Sequence, residues 1–241
     1  MPRASYVVLG ACGVLGAWVA LGASTSAQTT ASETAFRIFS RGKEIGSHTV
    51  ALTRSDGGWH LTSTGEMKEP YQLVLRQFDI TYDSAWRPRI MTMEIASVDD
   101  RAVVHVAFGL SDGSTRTDVV RDGTAQWGSN KVSPDAIPLP DYVFASFEAL
   151  AARLASASAG TQLQAFVVPR FEGVLHVDRV TSESVAITGG TLDTRRFGLR
   201  LQRPEGEAPM DIWVANDRLV RIDIPKEGMS VVRQDVIWGK Q

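Results

Sequence analysis

Apolar and polar side chains alternate with a period of two from about residue 35 to the end of this chain, and that leaves little choice of fold. Val104, Val106 and Phe108 alternate with Val103, His105 and Ala107. Trp59 and Leu61 alternate with His60 and Thr62, and Val220, Ile222 and Ile224 with Arg221 and Asp223. Successive side chains of a strand point to opposite faces, so each run has one face to bury and one to hydrate. This is the signature of antiparallel sheet, because parallel strands are covered on both faces.

Turn chemistry punctuates the runs. Arg41-Gly42-Lys43, Asp56-Gly57-Gly58, Asp112-Gly113, Asp122-Gly123, Gly189-Gly190, Asn216-Asp217 and Glu227-Gly228 each separate two of them. Gly, Asn and Asp supply the positive φ that tight hairpins need. Such short connections imply a meander of roughly twelve to fourteen strands. A sheet that wide cannot stay flat; its twist makes it curl, close or split. One stretch breaks the pattern. Ser133 to Pro140 is proline-rich, and Asp141 then reads as the cap of a helix of about four turns ending at Gly160. Val143, Phe147, Leu150 and Leu154 form one stripe of that helix, with Phe144 and Ala151 beside it. The expected fold is mainly β: a large curved antiparallel meander, half-barrel or β-spiral, with one packed amphipathic helix. No linker or repeat divides it, so residues 28–241 read as a single β-rich domain.

Residues 1–27 read as an export signal. Arg3 supplies a short positive start, Tyr6 to Ala23 carries no charge, and Thr25 and Ala27 suit cleavage before Gln28. Two rival readings are an uncleaved anchor, weakened by Gly10, Gly13, Gly16 and Gly22, and a lipid-modified Cys12 in Leu9-Gly10-Ala11-Cys12. Cys12 is the chain's one cysteine, so cleavage leaves no thiol for a disulfide or for zinc. The remaining chain holds 24 basic and 27 acidic side chains, a net charge of −3. That balance gives no nucleic-acid footprint and no polybasic membrane patch. The expected location is periplasmic or secreted.

Two hairpins carry a resemblance. Phe36-Arg37-Ile38-Phe39-Ser40-Arg41-Gly42-Lys43-Glu44-Ile45-Gly46-Ser47 resembles the first hairpin of a group of uncharacterised bacterial envelope proteins. Ile212-Trp213-Val214 through Asp223-Ile224-Pro225 resembles their last. Those proteins are similar in architecture to the lipoprotein carriers LolA and LolB, in which a curved antiparallel sheet closed by helices covers an apolar cavity. The resemblance implies a curved sheet with room for a lipid or lipopeptide, and it transfers no catalytic residue. This chain has fewer helices than the carriers, which puts a helical lid in doubt.

Motifs for catalysis are sparse. Gly109-Leu110-Ser111-Asp112-Gly113 spells G-x-S-x-G, but a strand follows it where a nucleophile elbow needs a helix. Asp99-Asp100 would point to opposite faces of a strand and reads as a turn tip. His48 and His60 fall on the first hairpins, where they could face each other, while His105 and His176 lie in later strands. Two histidines do not complete a zinc site, and no phosphate-binding loop occurs. No metal and no cofactor are expected. Phe78, Met91, Met93, Phe108, Phe144, Phe147, Phe197 and Trp213 either fill a core or, in part, line a cavity. The residues assigned to an apolar or amphiphilic ligand are Met91, Met93, Phe108 and Phe147. That reading makes the protein an exported binder of a lipid or lipoprotein acyl chain, without catalysis. Its rivals are an envelope assembly factor that contacts another protein, and a hydrolase built on Ser111 or His105. The binder reading requires the concave face to exceed what its own side chains can fill.

Overall fold

The computed structural model describes residues 31–97, 100–109 and 114–238. The export signal with Cys12, Asp99, and Ser111 with the Asp112-Gly113 turn lie outside the described residues. Eight strands follow one another as antiparallel neighbours: β1 (Ala31–Ser40), β2 (Lys43–Ser55), β3 (Gly58–Met67), β4 (Leu73–Asp83), β5 (Pro88–Ser97), β6 (Arg101–Ala107), β7 (Ser114–Arg121) and β8 (Thr124–Lys131). The chain then crosses to the far edge as β9 (Ile137–Pro138). A 3₁₀ turn (Phe144–Ser146) and helix α1 (Phe147–Leu154) come next. A second meander returns through β10 (Gln162–Val167), β11 (Phe171–Ile187), β12 (Gly190–Arg203), β13 (Gly206–Ala215), β14 (Arg218–Ile224) and β15 (Met229–Arg233).

The result is one sheet of 15 strands in the order β8 to β1, then β15 to β9. Among the described residues only β9 and β10 run parallel. β1 pairs β15 from Phe36↔Arg233 to Ser40↔Met229, so the first and last strands meet in the middle. The hairpins use the expected turns: Arg41 and Gly42, Asp122 and Gly123, and Asn216 and Asp217 all have positive φ at both central positions. The sheet is curved but open, and no ladder joins β8 to β9 among the described residues. Curvature brings distant strands together: Phe108, just after β6, meets Phe166 of β10 edge to face with ring centroids 6.2 Å apart. The connection from Lys131 to Ile137 is six Cα steps, which span at most about 21 Å.

The helix is shorter than its apolar stripe. The pattern predicts about four turns capped by Asp141; α1 has eight residues, entered from the 3₁₀ turn. Tyr142, with φ of 60°, breaks helical geometry ahead of the stripe, so the helix cannot start at Asp141 and Val143 stays outside it. Asp141 instead pairs with Arg170 at 2.6 Å. Val143, Phe147, Leu150 and Leu154 are all buried in the concave core, as their spacing requires. Glu148 is buried with them, 1% exposed, and fixes the helix to the sheet. It accepts hydrogen bonds from Arg218 Nε (2.9 Å), Arg218 Nη2 (3.2 Å) and the Leu219 backbone N–H (3.1 Å).

A second core lies on the convex face. Phe39, Trp213, Val220, Val232 and Val236 pack there, covered by Trp238. Cations and rings alternate across it. Arg196 and Arg221 lie over Trp213 at 4.7 and 4.4 Å, Arg221 also over Trp238 at 4.5 Å, and Trp238 stacks on Phe39 at 5.2 Å. Desolvated contacts of this kind contribute about 0.5–2 kcal/mol each. Asp211 and Asp223 neutralise the two arginines.

Removing one partner of a buried ion pair costs about 3–5 kcal/mol. Glu148→Ala is therefore expected to lower the unfolding free energy in urea by that amount, with the Leu219 N–H unpaired and the Arg218 guanidinium left with the Ser32 hydroxyl in place of a carboxylate. A loss below about 1 kcal/mol would place the tether among weak surface pairs.

Candidate functional site

Inward-facing side chains of both meanders converge on the concave side. In register across the sheet, Met91 sits between Ile80 and Val106, and Met93 between Phe78 and Val104. Met91, Met93, Phe108 and Phe147 are all buried in the same core. The crossover segment supplies Val132, Ala136, Leu139, Val143 and Phe144 to that core, and α1 adds Phe147, Leu150 and Leu154. Together they occupy the hollow that a sheet this wide would otherwise leave. The large concave cavity expected from strand number alone is thus reduced to a pocket at one end.

That pocket has a volume of about 200 Å³ and opens where β10 passes to β11, β12 to β13 and β14 to β15. Leu139, Phe144 and Phe147 form one wall. Val167 of β10, Leu201 of β12, Met210 of β13 and Ile224 of β14 form the other. Alternation explains those positions: each lies on the inward side of its own strand. The rim is polar, with Asp141, Tyr142, Arg170, Arg203 and Glu227. Arg170 and Asp141 neutralise each other. Arg203 is less well satisfied: its Nε is buried without a hydrogen-bond partner among the described residues, and Nη1 lies 3.9 Å from Glu205. Tyr142 packs against Tyr71 with ring centroids 4.8 Å apart, and burial raises the pKa of both phenols.

Of the four ligand residues assigned from sequence, Phe147 lines this pocket. Met91, Met93 and Phe108 lie deeper in the core and line none of the cavities described here. Leu201, Arg203 and Met210 escape a linear reading because they sit on separate strands that only curvature brings to Phe147. Three larger hollows lie elsewhere: one of about 480 Å³ bounded by Ser182, Asp193, Arg195 and Asn216, one of about 800 Å³ by Arg41, Lys43, Arg221 and Trp238, and one of about 340 Å³ by Glu33, Thr34, Arg233 and Asp235.

His48 is an unusual buried group. It is fully enclosed on the inward side of β2, 5.7 Å from the Phe144 ring, and neither ring nitrogen has a partner among the described residues. Its parity with buried Val50 and Leu52 is the sequence signal for this placement. Gly65 makes the room: a Cβ there would come within 2.2 Å of the imidazole and 2.4 Å of the Ser47 carbonyl. His48 and His60 do not face each other. His48 lies opposite Gly65, whereas His60 bonds Asp79 at 3.0 Å. His105 meets the Thr92 hydroxyl at 3.1 Å on the exposed side of β6, and Asp100 pairs with Arg121 at 3.2 Å. Among the described residues no three His, Cys, Asp or Glu side chains converge.

No family model matches the chain, and no curated protein does. A crystal structure of a Bacteroides fragilis protein with a YmcC-like fold aligns with 86% of this chain and 95% of its own. Its sequence identity is 8% and the TM-score 0.31, a likeness too slight to carry any argument about this chain.

Burial lowers the His48 pKa from 6.5 to about 4. Between those values the unfolded chain takes up a proton that the folded chain refuses, so stability falls as the pH drops through that window. The loss at pH 5 relative to pH 7 is on the order of 2 kcal/mol. His48→Phe is expected to flatten the pH dependence of urea unfolding by that amount. Equal slopes for the two proteins would mean that His48 titrates normally in the folded state.

Proposed function

We propose that this is an exported protein of the bacterial envelope that binds the tail of an anionic amphiphile in the end pocket. The carrying observation is the meeting of an apolar floor with Arg203, whose buried Nε has no hydrogen-bond partner among the described residues. A buried, unsatisfied guanidinium atom beside an apolar pocket suits a ligand with both a hydrocarbon part and an anionic head. Phe144, Phe147, Leu201 and Met210 receive the tail, where each methylene removed from water contributes about 0.8 kcal/mol. Arg203 bonds the head, with Arg170 beside it at the mouth. The pocket takes one tail segment, such as the end of a fatty acyl or lipoprotein chain, and the rest of the ligand stays outside. The unbroken uncharged run from Tyr6 to Ala23 supports export. None of these groups forms a nucleophile–base pair, so the reading is binding without catalysis.

Delipidated protein is expected to take up a fluorescent fatty acid and to release it to unlabelled fatty acid. Met210→Trp fills the floor and should abolish uptake. Arg203→Gln should weaken it roughly tenfold, the loss of one charge-assisted hydrogen bond. Uptake left unchanged by Met210→Trp, or absent in the native protein, would defeat the proposal.

A further inference from the structure

The two edges of the sheet are built differently. β9 is two residues long, contains Pro138 and is buried. A proline removes one donor and a two-residue strand offers no template, so that edge is blunted. β8 is eight residues long, has no proline, and carries one charge, Lys131, at its end. It is solvent-exposed along most of its length on both faces. No strand among the described residues pairs with its outer side. Edge strands are commonly protected by charge, proline or a bulge. From Thr124 to Asn130 this one shows none of these.

Its side chains are arranged to receive a copy of themselves. Thr115 and Thr117 of β7 are buried on the concave side, which sets the opposite parity, with Trp127, outward. On that convex face β8 presents Ala125, Trp127 and Ser129. Trp127 is 78% exposed, an unusual state for so large an apolar side chain. Its neighbours on the same face are small, leaving space for a second indole. Behind them, in register on β7, stand half-exposed Val120, and Arg116 and Asp118, which pair with each other at 3.1 Å.

We propose that β8 pairs antiparallel with β8 of a second copy of this chain, about a two-fold axis at Trp127. A two-fold axis normal to the sheet keeps convex face with convex face, so it must pass through a residue position and not between two. Centred on Trp127, it sets the two indoles opposite each other. It also places Gln126 opposite Gly128, Ala125 opposite Ser129, and Thr124 opposite Asn130. No like charges meet, because the two copies of Lys131 fall at opposite ends, beyond the pairing. The backbone groups on the outer side of β8 gain partners, and cross-strand aromatic pairing fixes the register. The interface is narrow, so the dimer forms at roughly 10–100 µM protein. It lies on the opposite arm of the sheet from the end pocket and does not depend on what that pocket binds.

Sedimentation velocity on the exported protein over about 5–200 µM tests the idea across the expected range. The native chain should pass from monomer to dimer, and Trp127→Lys should remain monomeric with an unchanged circular dichroism spectrum. Should Trp127→Lys fail to fold, Ser129→Lys makes the same test from the same face. Register is read separately, in a Cys12→Ser background. Ala125→Cys and Ser129→Cys proteins, mixed and oxidised, should give the mixed disulfide dimer well above either homodimer. A native chain that stays monomeric, a dimer that survives Trp127→Lys, or homodimers as abundant as the mixed species would each overturn the proposal.

Discussion

The ladder between β1 and β15 is the constraint on which the rest of this molecule depends. Apart from the parallel β9–β10 pair each arm of the sheet is a run of hairpins between chain neighbours, and among the described residues β1–β15 is the one strand ladder that joins the arms. It also organises both cores. Phe36 and Ile38 of β1, with Met229 and Val231 of β15, point into the concave core. Phe39 and Val232 point into the convex one. Beyond the strands, Gln234 N–H donates to the Ala35 carbonyl, and Arg37 Nη2 to that of Val236. These contacts lay the C-terminal segment over the convex face, where Trp238 completes the stack with Arg221 and Phe39.

Curvature created by that union decides what kind of site is available. A wide sheet wrapped on itself would enclose a hollow, but the crossover from β8 to β9 and α1 spends its apolar side chains filling it. The Glu148–Arg218 tether holds α1 in place at a buried location, where the pair has hydrogen bonds enough to offset its desolvation. What survives is the small pocket beside Phe144 and Phe147, rimmed at its mouth by Tyr142, Arg170 and Arg203. A few polar groups stay unsatisfied inside, His48 among them. Such groups cost stability, and His48 ties that cost to acidity.

The strands and most hairpins were legible because period two and turn residues are local signals. Asp122-Gly123 and Asn216-Asp217 mark their turns unambiguously. The helix was half legible. Its stripe named the right buried residues, but its start did not follow, because Tyr142 adopts left-handed backbone and Asp141 is drawn to Arg170. The convex core left a trace too: Ile212-Trp213-Val214 and Val231-Val232 are unbroken apolar runs, the mark of strands covered on both faces. The pairing of β1 with β15, and hence the meeting of Phe147 with Leu201, Arg203 and Met210, lies beyond local pattern. It joins residues nearly the whole chain apart, and no periodicity encodes that.

The short crossover from Lys131 to Ile137 acts as a clasp across the seam between the two edges. Without it the two edges would be held together by no covalent connection at this seam, and a curled sheet would be free to flatten. Tied as it is, with Val132 and Ala136 sunk in the core and the Ser133 N–H held by Glu172 at 2.9 Å, the seam has a fixed maximum width at that end.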